Sequence, residues 1–106
     1  SNEGICVNSI IASGTVIAGG GVNHSVLADG CLIDDAATVE DSILFPGVRV
    51  GPGARVQRAI IDRDVRVPAG FEIGFDPAAD SERFAVTPGG VVVVPSGFDA
   101  WGGGEA

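Results

Sequence analysis

The sequence predicts an all-β chain, a parallel β-helix of about four three-sided coils closed at its C-terminal end by a short capping helix and strand. Three observations carry that reading. Aliphatic residues return along residues 8–74 at a fixed long period, and glycines recur at fixed places between them. The composition agrees, being 45% hydrophobic but only 6% aromatic, with no Met or Tyr, so Val, Ile, Ala and Gly must fill the core. β-Branched side chains suit a pleated surface, and glycine suits sharp corners.

Written in rows of seventeen, the period is explicit: HSVLADGCLIDDAATVE (24–40), DSILFPGVRVGPGARVQ (41–57) and RAIIDRDVRVPAGFEIG (58–74), preceded by NSIIASGTVIAGGGVN (8–23), one residue short. Within each row an aliphatic recurs at steps of six, six and five. The core these steps predict is Ile11, Ile17 and Val22; Leu27, Ile33 and Val39; Leu44, Val50 and Val56; Ile61, Val67 and Ile73, with Cys6 one step earlier. A second track lies four residues after each large aliphatic. It holds Thr15, Cys31, Val48 and Val65 on one side, and Gly21, Ala37, Ala54 and Phe71 on the next. On the third side it holds Ile10, Val26, Ile43 and Ile60. Short strands alternate in and out, so both tracks are expected to point inward. Gly14, Gly30, Gly47, Gly53 and Gly70 mark the bends. A helical period would scatter these aliphatics around the helix surface.

The rhythm stops after Gly74. Asp76 reads as an N-cap and Pro77 as the first residue of a short helix running to Phe84. Phe71, Phe75 and Phe84 are placed to plug the lower end, and Pro88-Gly89-Gly90 turns into a strand, Val91 to Val94, along the last coil. The organisation is therefore a boundary at 1–7, coils at 8–74, a cap at 75–95 and a flexible tail at 96–106. Ser1-Asn2 reads as a remnant of an expression tag, and the chain as a piece cut from a longer protein.

Net charge is −8, from 14 acids against 6 bases, all of them Arg. Such a surface repels nucleic acid and anionic membranes, and no apolar run is long enough to span a bilayer. Cys6 and Cys31 have no CxxC spacing and read as free buried thiols of a reducing cytoplasm.

The run from Asp41 through Gly74, followed by DPAADSERFAVTPGGVVVV, resembles the C-terminal part of bacterial ADP-glucose pyrophosphorylase (glucose-1-phosphate adenylyltransferase) over about residues 8–95. That family shares the succession of an "IDR" row, "VPxGxxIG", an Asp-rich helix reaching Arg-Phe, and a Gly-Val-Val strand. The resemblance implies a left-handed hexapeptide-repeat β-helix. It further implies an assembly and regulatory domain that helps form a homotetramer and contributes to a sugar-phosphate effector site. The whole enzyme makes ADP-glucose and diphosphate from ATP and glucose 1-phosphate, with magnesium, for glycogen synthesis. Its Gly-rich nucleotide loop, substrate lysine and metal-binding aspartates have no counterpart in these residues. The fragment is expected to carry no catalytic residue, metal or cofactor, and its partners are the N-terminal catalytic domain and further copies of itself.

Arg63 stands in the "IDR" and Arg83 in the "RF", so these two are the candidate effector contacts; paired arginines bind a phosphate dianion bidentately. The family's basic residues after the last strand are replaced here by Pro95-Ser96-Gly97-Phe98, which leaves the effector open. His24 is the one histidine and raises the alternative of a small hexapeptide acyltransferase, while another sugar nucleotidyltransferase would share the coils but not the tail. His24, however, shares its place in the row with Asn8, Asp41 and Arg58, as a solvent corner would. The acidic pairs Asp34-Asp35, Glu40-Asp41 and Asp62 with Asp64 read as solvated edges, and Gly19 to Gly21 and Gly51 to Gly53 as corners, since no helix follows to bind phosphate.

Overall fold

The computed structural model describes residues 5–99 and Trp101, with side chains from residue 8 onward. The reading of Ser1-Asn2 and most of the glycine-rich end lie outside the described residues. After β1 (Ile5–Val7) the first coil contains β2 (Ile10–Ile11), β3 (Val16–Ile17) and β4 (Gly21–Asn23). The second contains β5 (Val26–Leu27), β6 (Leu32–Ile33) and β7 (Thr38–Glu40). The third contains β8 (Ile43–Leu44), β9 (Arg49–Val50) and β10 (Arg55–Gln57). The fourth contains β11 (Ala59–Ile61), β12 (Arg66–Val67) and β13 (Glu72–Ile73). Helix α1 (Pro77–Arg83) follows, then β14 (Ala85–Val86) and β15 (Val92–Val94).

The chain winds these strands into three flat sheets, one per side of a prism. Their orders are β1-β4-β7-β10-β13, β2-β5-β8-β11-β15-β14 and β3-β6-β9-β12. Every pairing is parallel except that of β14 with β15. The register follows the rows: Leu27 lies beside Leu44, Leu44 beside Ile61, and Ile61 beside Val94. Ten of the twelve large aliphatics are at most 2% exposed, and Ile11 and Ile17 in the first coil are half-buried. Backbone N–H groups donate to carbonyls of the neighbouring coil, as Phe45 does to Ile61 at 2.9 Å and Ala28 to Leu44 at 2.9 Å.

The second track departs from expectation on one side. Thr15 is half-buried, and Cys31, Val48, Val65, Ala37 and Ala54 are buried, all pointing inward. Ile10, Val26 and Ile43 are instead 69%, 40% and 42% exposed. The cause is arithmetic in the alternation: a residue points inward when it lies two before the next large aliphatic. On the five-residue side, four after one aliphatic is only one before the next, which is an outward position. Ser9, Ser25, Ser42 and Ala59 take the inward places. Ser25 and Ser42 are buried, and their hydroxyls form a ladder: Ser9 Oγ accepts from Ser25 N–H, Ser25 Oγ from Ser42 N–H, and Ser42 Oγ from Ala59 N–H, each at 3.1 Å. Ser25 and Ser42 Oγ donate in turn to the carbonyls of Asn23 and Glu40. Gly21 is a second correction, because it pairs with Thr38 and leaves Gly20 beside Ala37. The short row closes there, and a Cβ on Gly20 would run into the Ala37 backbone.

Below Gly74 the prism is capped. Asp76 Oδ1 accepts from the N–H groups of Ala78 and Ala79, and Pro77 needs no donor at the first helical position. β15 continues the six-stranded sheet in register with β11, and β14, which the sequence reading did not foresee, runs back along β15. The aromatic plug differs from the expected trio. Phe84 is buried and Phe71 is half-buried, but Phe75 lies outside, 36% exposed, under the Arg55 guanidinium. Its place is taken by two residues that follow the cap, Phe98 and Trp101. Phe98 packs 4.9 Å from Phe84 and 4.8 Å from Trp101, and Trp101 lies 5.0 Å from Phe71. These rings cover apolar surface that would otherwise face water at the end of the last coil.

Candidate functional site

The corner preceding the six-stranded sheet holds Asn8, His24, Asp41 and Arg58, all in left-handed backbone with φ of 49 to 50°. This geometry turns the chain and throws each side chain outward. His24 is exposed, and its Nε2 lies 3.4 Å from Asn8 Nδ2. No acid or nucleophile is hydrogen-bonded to it among the described residues.

Arg63 sits at the opposite corner, where the chain leaves β11, and is exposed. Asp62 Oδ1 accepts the Arg63 N–H at 2.7 Å and fixes the turn there, leaving the guanidinium free to reach outward. Arg83 closes the last turn of α1, where a cation complements the helix dipole, and its guanidinium stands 5.2 Å over the Phe71 ring. The helix is fixed by Asp80, buried at 3% exposure, whose Oδ2 accepts the Gly74 N–H at 3.0 Å. Burial raises the Asp80 pKa, with Asp76 adding to the shift while the Gly74 hydrogen bond and Arg83 oppose it. No hydrogen bond or ion pair joins Arg63 to Arg83 among the described residues.

The one ion pair among the described residues is Arg55 with Glu72, at 3.1 Å and half exposed. Arg49 and Arg66 lie side by side on the outer face of the four-stranded sheet, in register and exposed. The sequence singles out Arg63 and Arg83 through the resemblance and passes over this neighbour pair. The signal was there: each immediately precedes a core valine, Val50 or Val67, seventeen residues apart. Of the acidic pairs, two serve the backbone: Asp34 Oδ1 accepts the Asp35 N–H at 2.8 Å and Asp62 Oδ1 the Arg63 N–H. Cys31 is a buried free thiol whose Sγ donates to the Phe45 carbonyl, and burial raises its pKa. The side chain of Cys6 is outside the described residues.

The described His, Cys, Asp and Glu side chains form no group of three or more that could hold a metal ion. No described helix is long and apolar enough to cross a membrane. What the arrangement offers is flat faces and exposed guanidinium groups, which suit docking and anion binding.

Comparison with known proteins agrees with this architecture. Over 97 residues the chain is 46% identical to glucose-1-phosphate adenylyltransferase 2 of Vibrio cholerae, covering 92% of this chain and 24% of that protein. It is 47% identical over 98 residues to the glucose-1-phosphate adenylyltransferase of Rhodopirellula baltica, covering 92% of this chain and 22% of that one. With the Arthrobacter sp. enzyme of the same name it shares 48% over 95 residues, covering 89% of this chain and 20% of the relative. The chain thus spans between a fifth and a quarter of the curated relatives it matches. The profile of the GlmU-like C-terminal hexapeptide family matches residues 1–94, and the chain belongs to that family.

Proposed function

We propose that this chain is the non-catalytic assembly and regulatory domain of a cytoplasmic glucose-1-phosphate adenylyltransferase. In this reading the whole protein joins ATP and glucose 1-phosphate into ADP-glucose and diphosphate for glycogen synthesis, and the β-helix serves as its C-terminal part. The observation that carries the reading is the match to proteins of that name over nearly the whole chain, which runs through the coils and into the cap. Magnesium and ATP then belong to a separate nucleotide-binding domain, and the β-helix contributes surface rather than chemistry. A rigid prism holds its exposed groups at fixed spacing, so it can present a docking face and effector contacts without reorganising.

Arg63 and Arg83 are the proposed contacts for the phosphate of a sugar-phosphate effector. Both are exposed, and neither has a carboxylate within ion-pair distance among the described residues. The test uses an enzyme containing this domain, assayed for ADP-glucose formation with and without a panel of sugar phosphates. Arg63→Gln and Arg83→Gln are expected to keep the unstimulated rate and lower effector affinity by about tenfold each, the worth of one charge-assisted contact. An unchanged effector response in both variants would remove them from the site. Turnover of ATP and glucose 1-phosphate by the 106-residue chain alone would overturn the non-catalytic reading.

A further inference from the structure

Arg83 and Phe84 are adjacent, yet they engage the aromatic plug in different ways. Phe84, buried at 6% exposure, places its ring 4.9 Å from Phe98 and 5.9 Å from Trp101. Arg83 is exposed, and its guanidinium stands 5.2 Å over the Phe71 ring. Trp101 meets that ring edge-on, at 5.0 Å and 80°. Guanidinium, phenyl ring and indole therefore form one connected series from the end of α1 to the residues after the cap.

Arg55 supplies the contrast. Its guanidinium also covers a ring, Phe75 at 4.3 Å, but Glu72 takes its charge at 3.1 Å. Arg83 has the ring without the carboxylate among the described residues. Asp80, one helical turn earlier, is buried and its Oδ2 accepts the Gly74 N–H. A ring beneath a guanidinium attracts its charge without consuming its N–H donors, which stay available to an oxyanion.

We infer that Phe71 and Trp101 are positioning residues for an oxyanion site at Arg83, holding the guanidinium in place before the anion arrives and registering its arrival at the indole. The inference rests on the proposed role of Arg83 as a phosphate contact. It goes further by assigning the residues that seat Arg83 and by linking Trp101 to binding. An unseated arginine has to be ordered by the anion itself, an entropic cost worth about fivefold in affinity. The sign is diagnostic. An anion that drew the guanidinium off the ring would bind more tightly once the ring was gone.

The experiment is a titration of the 106-residue chain with inorganic phosphate, from about 1 to about 100 mM, exchanged against chloride at constant ionic strength. The Arg83 Nε–H resonance, assigned by its loss in Arg83→Gln, reads the contact directly by NMR. Trp101 is the one tryptophan of the chain, so its emission reads the plug. Circular dichroism verifies the fold of each variant. Both signals should titrate with one midpoint. Phe71→Leu keeps an apolar side chain but removes the ring, and should raise the midpoint about fivefold; Phe71→Tyr keeps the ring and should restore it. Trp101→Leu acts one ring further away and should raise the Arg83 midpoint about twofold. Phosphate that shifts Arg83 with no change in Trp101 emission, and with the same midpoint in Phe71→Leu, overturns the inference while keeping Arg83 as a contact. A lower midpoint in Phe71→Leu, or a Phe71→Tyr variant that behaves like Phe71→Leu, also overturns it. An Arg83 resonance indifferent to phosphate removes the contact and the positioning role together.

Discussion

Ser42 tests the inner wall of the prism most directly. It is 3% exposed, and its hydroxyl accepts from the Ala59 N–H at 3.1 Å while donating to the Glu40 carbonyl at 2.7 Å. Ser42→Ala leaves the Glu40 carbonyl at the exposed end of its strand, where water can replace the hydroxyl. The Ala59 N–H has no such recourse, because Ala59 is 1% exposed and alanine at position 42 offers no acceptor. An orphaned buried donor costs about 1–3 kcal/mol, so the variant should lose ~2 kcal/mol. At about 4–8 °C per kcal/mol for a domain of this size, Tm falls by roughly 10 °C, and the urea midpoint moves down by about 1 M. Thermal and urea unfolding followed by circular dichroism read both quantities, with exposed Ser81→Ala as the matched control expected within about 0.5 kcal/mol of the parent. A Ser42→Ala loss no larger than the Ser81→Ala change would refute the ladder as a source of stability.

Three other outcomes are expected. Because the folded pKa of Asp80 is raised, the folded chain binds that proton more tightly than the unfolded chain. The contribution is fully present below the ordinary aspartate pKa and is lost as pH rises through the higher folded value. Asp80→Asn keeps an acceptor for Gly74 N–H, so denaturation midpoints should favour the variant at neutral pH and converge with the parent in acid; a constant gap would contradict this. Gly74→Ala should cost at least about 2 kcal/mol in chemical denaturation, since φ is +91° and the new Cβ would strike the Gln57 backbone. Gly53→Ala should cost only about 1 kcal/mol, because nothing lies near its Cβ and Ala36 already occupies the equivalent corner one coil earlier with φ of 60°. An equal loss for the two glycine variants would count against the steric argument.

The coils were legible because burial in a solenoid repeats: one side chain per side must fill the same volume in every turn, and the aliphatic column from Leu27 to Ile61 records that demand. Ile10, Val26 and Ile43 face outward because the inward place lies two before Leu27 or Leu44, at Ser25 and Ser42. Polar inward residues are easily passed over by a search for hydrophobic periodicity, although Ser recurs there in three rows. Phe98 and Trp101 could not be placed from the sequence, because their partners Phe84 and Phe71 are distant along the chain and no period relates them. The arginines are a different case. Their positions in the rows fixed the faces they occupy, but Arg63 and Arg83 belong to separate elements, a corner and a helix, whose mutual placement depends on how α1 folds back under the last coil. What a resemblance assigned to the pair as a unit therefore has to be tested residue by residue.

The reversed strand β14 gives the stack a blind end. A bare parallel edge would offer its row of backbone donors and acceptors to any similar edge, and an open solenoid could then thread copy onto copy without limit. With an antiparallel strand outermost in one sheet and aromatic rings filling the mouth below Gly74, the lower rim no longer matches the pattern of the coils above. That mismatch opposes head-to-tail stacking of one solenoid onto another along this sheet.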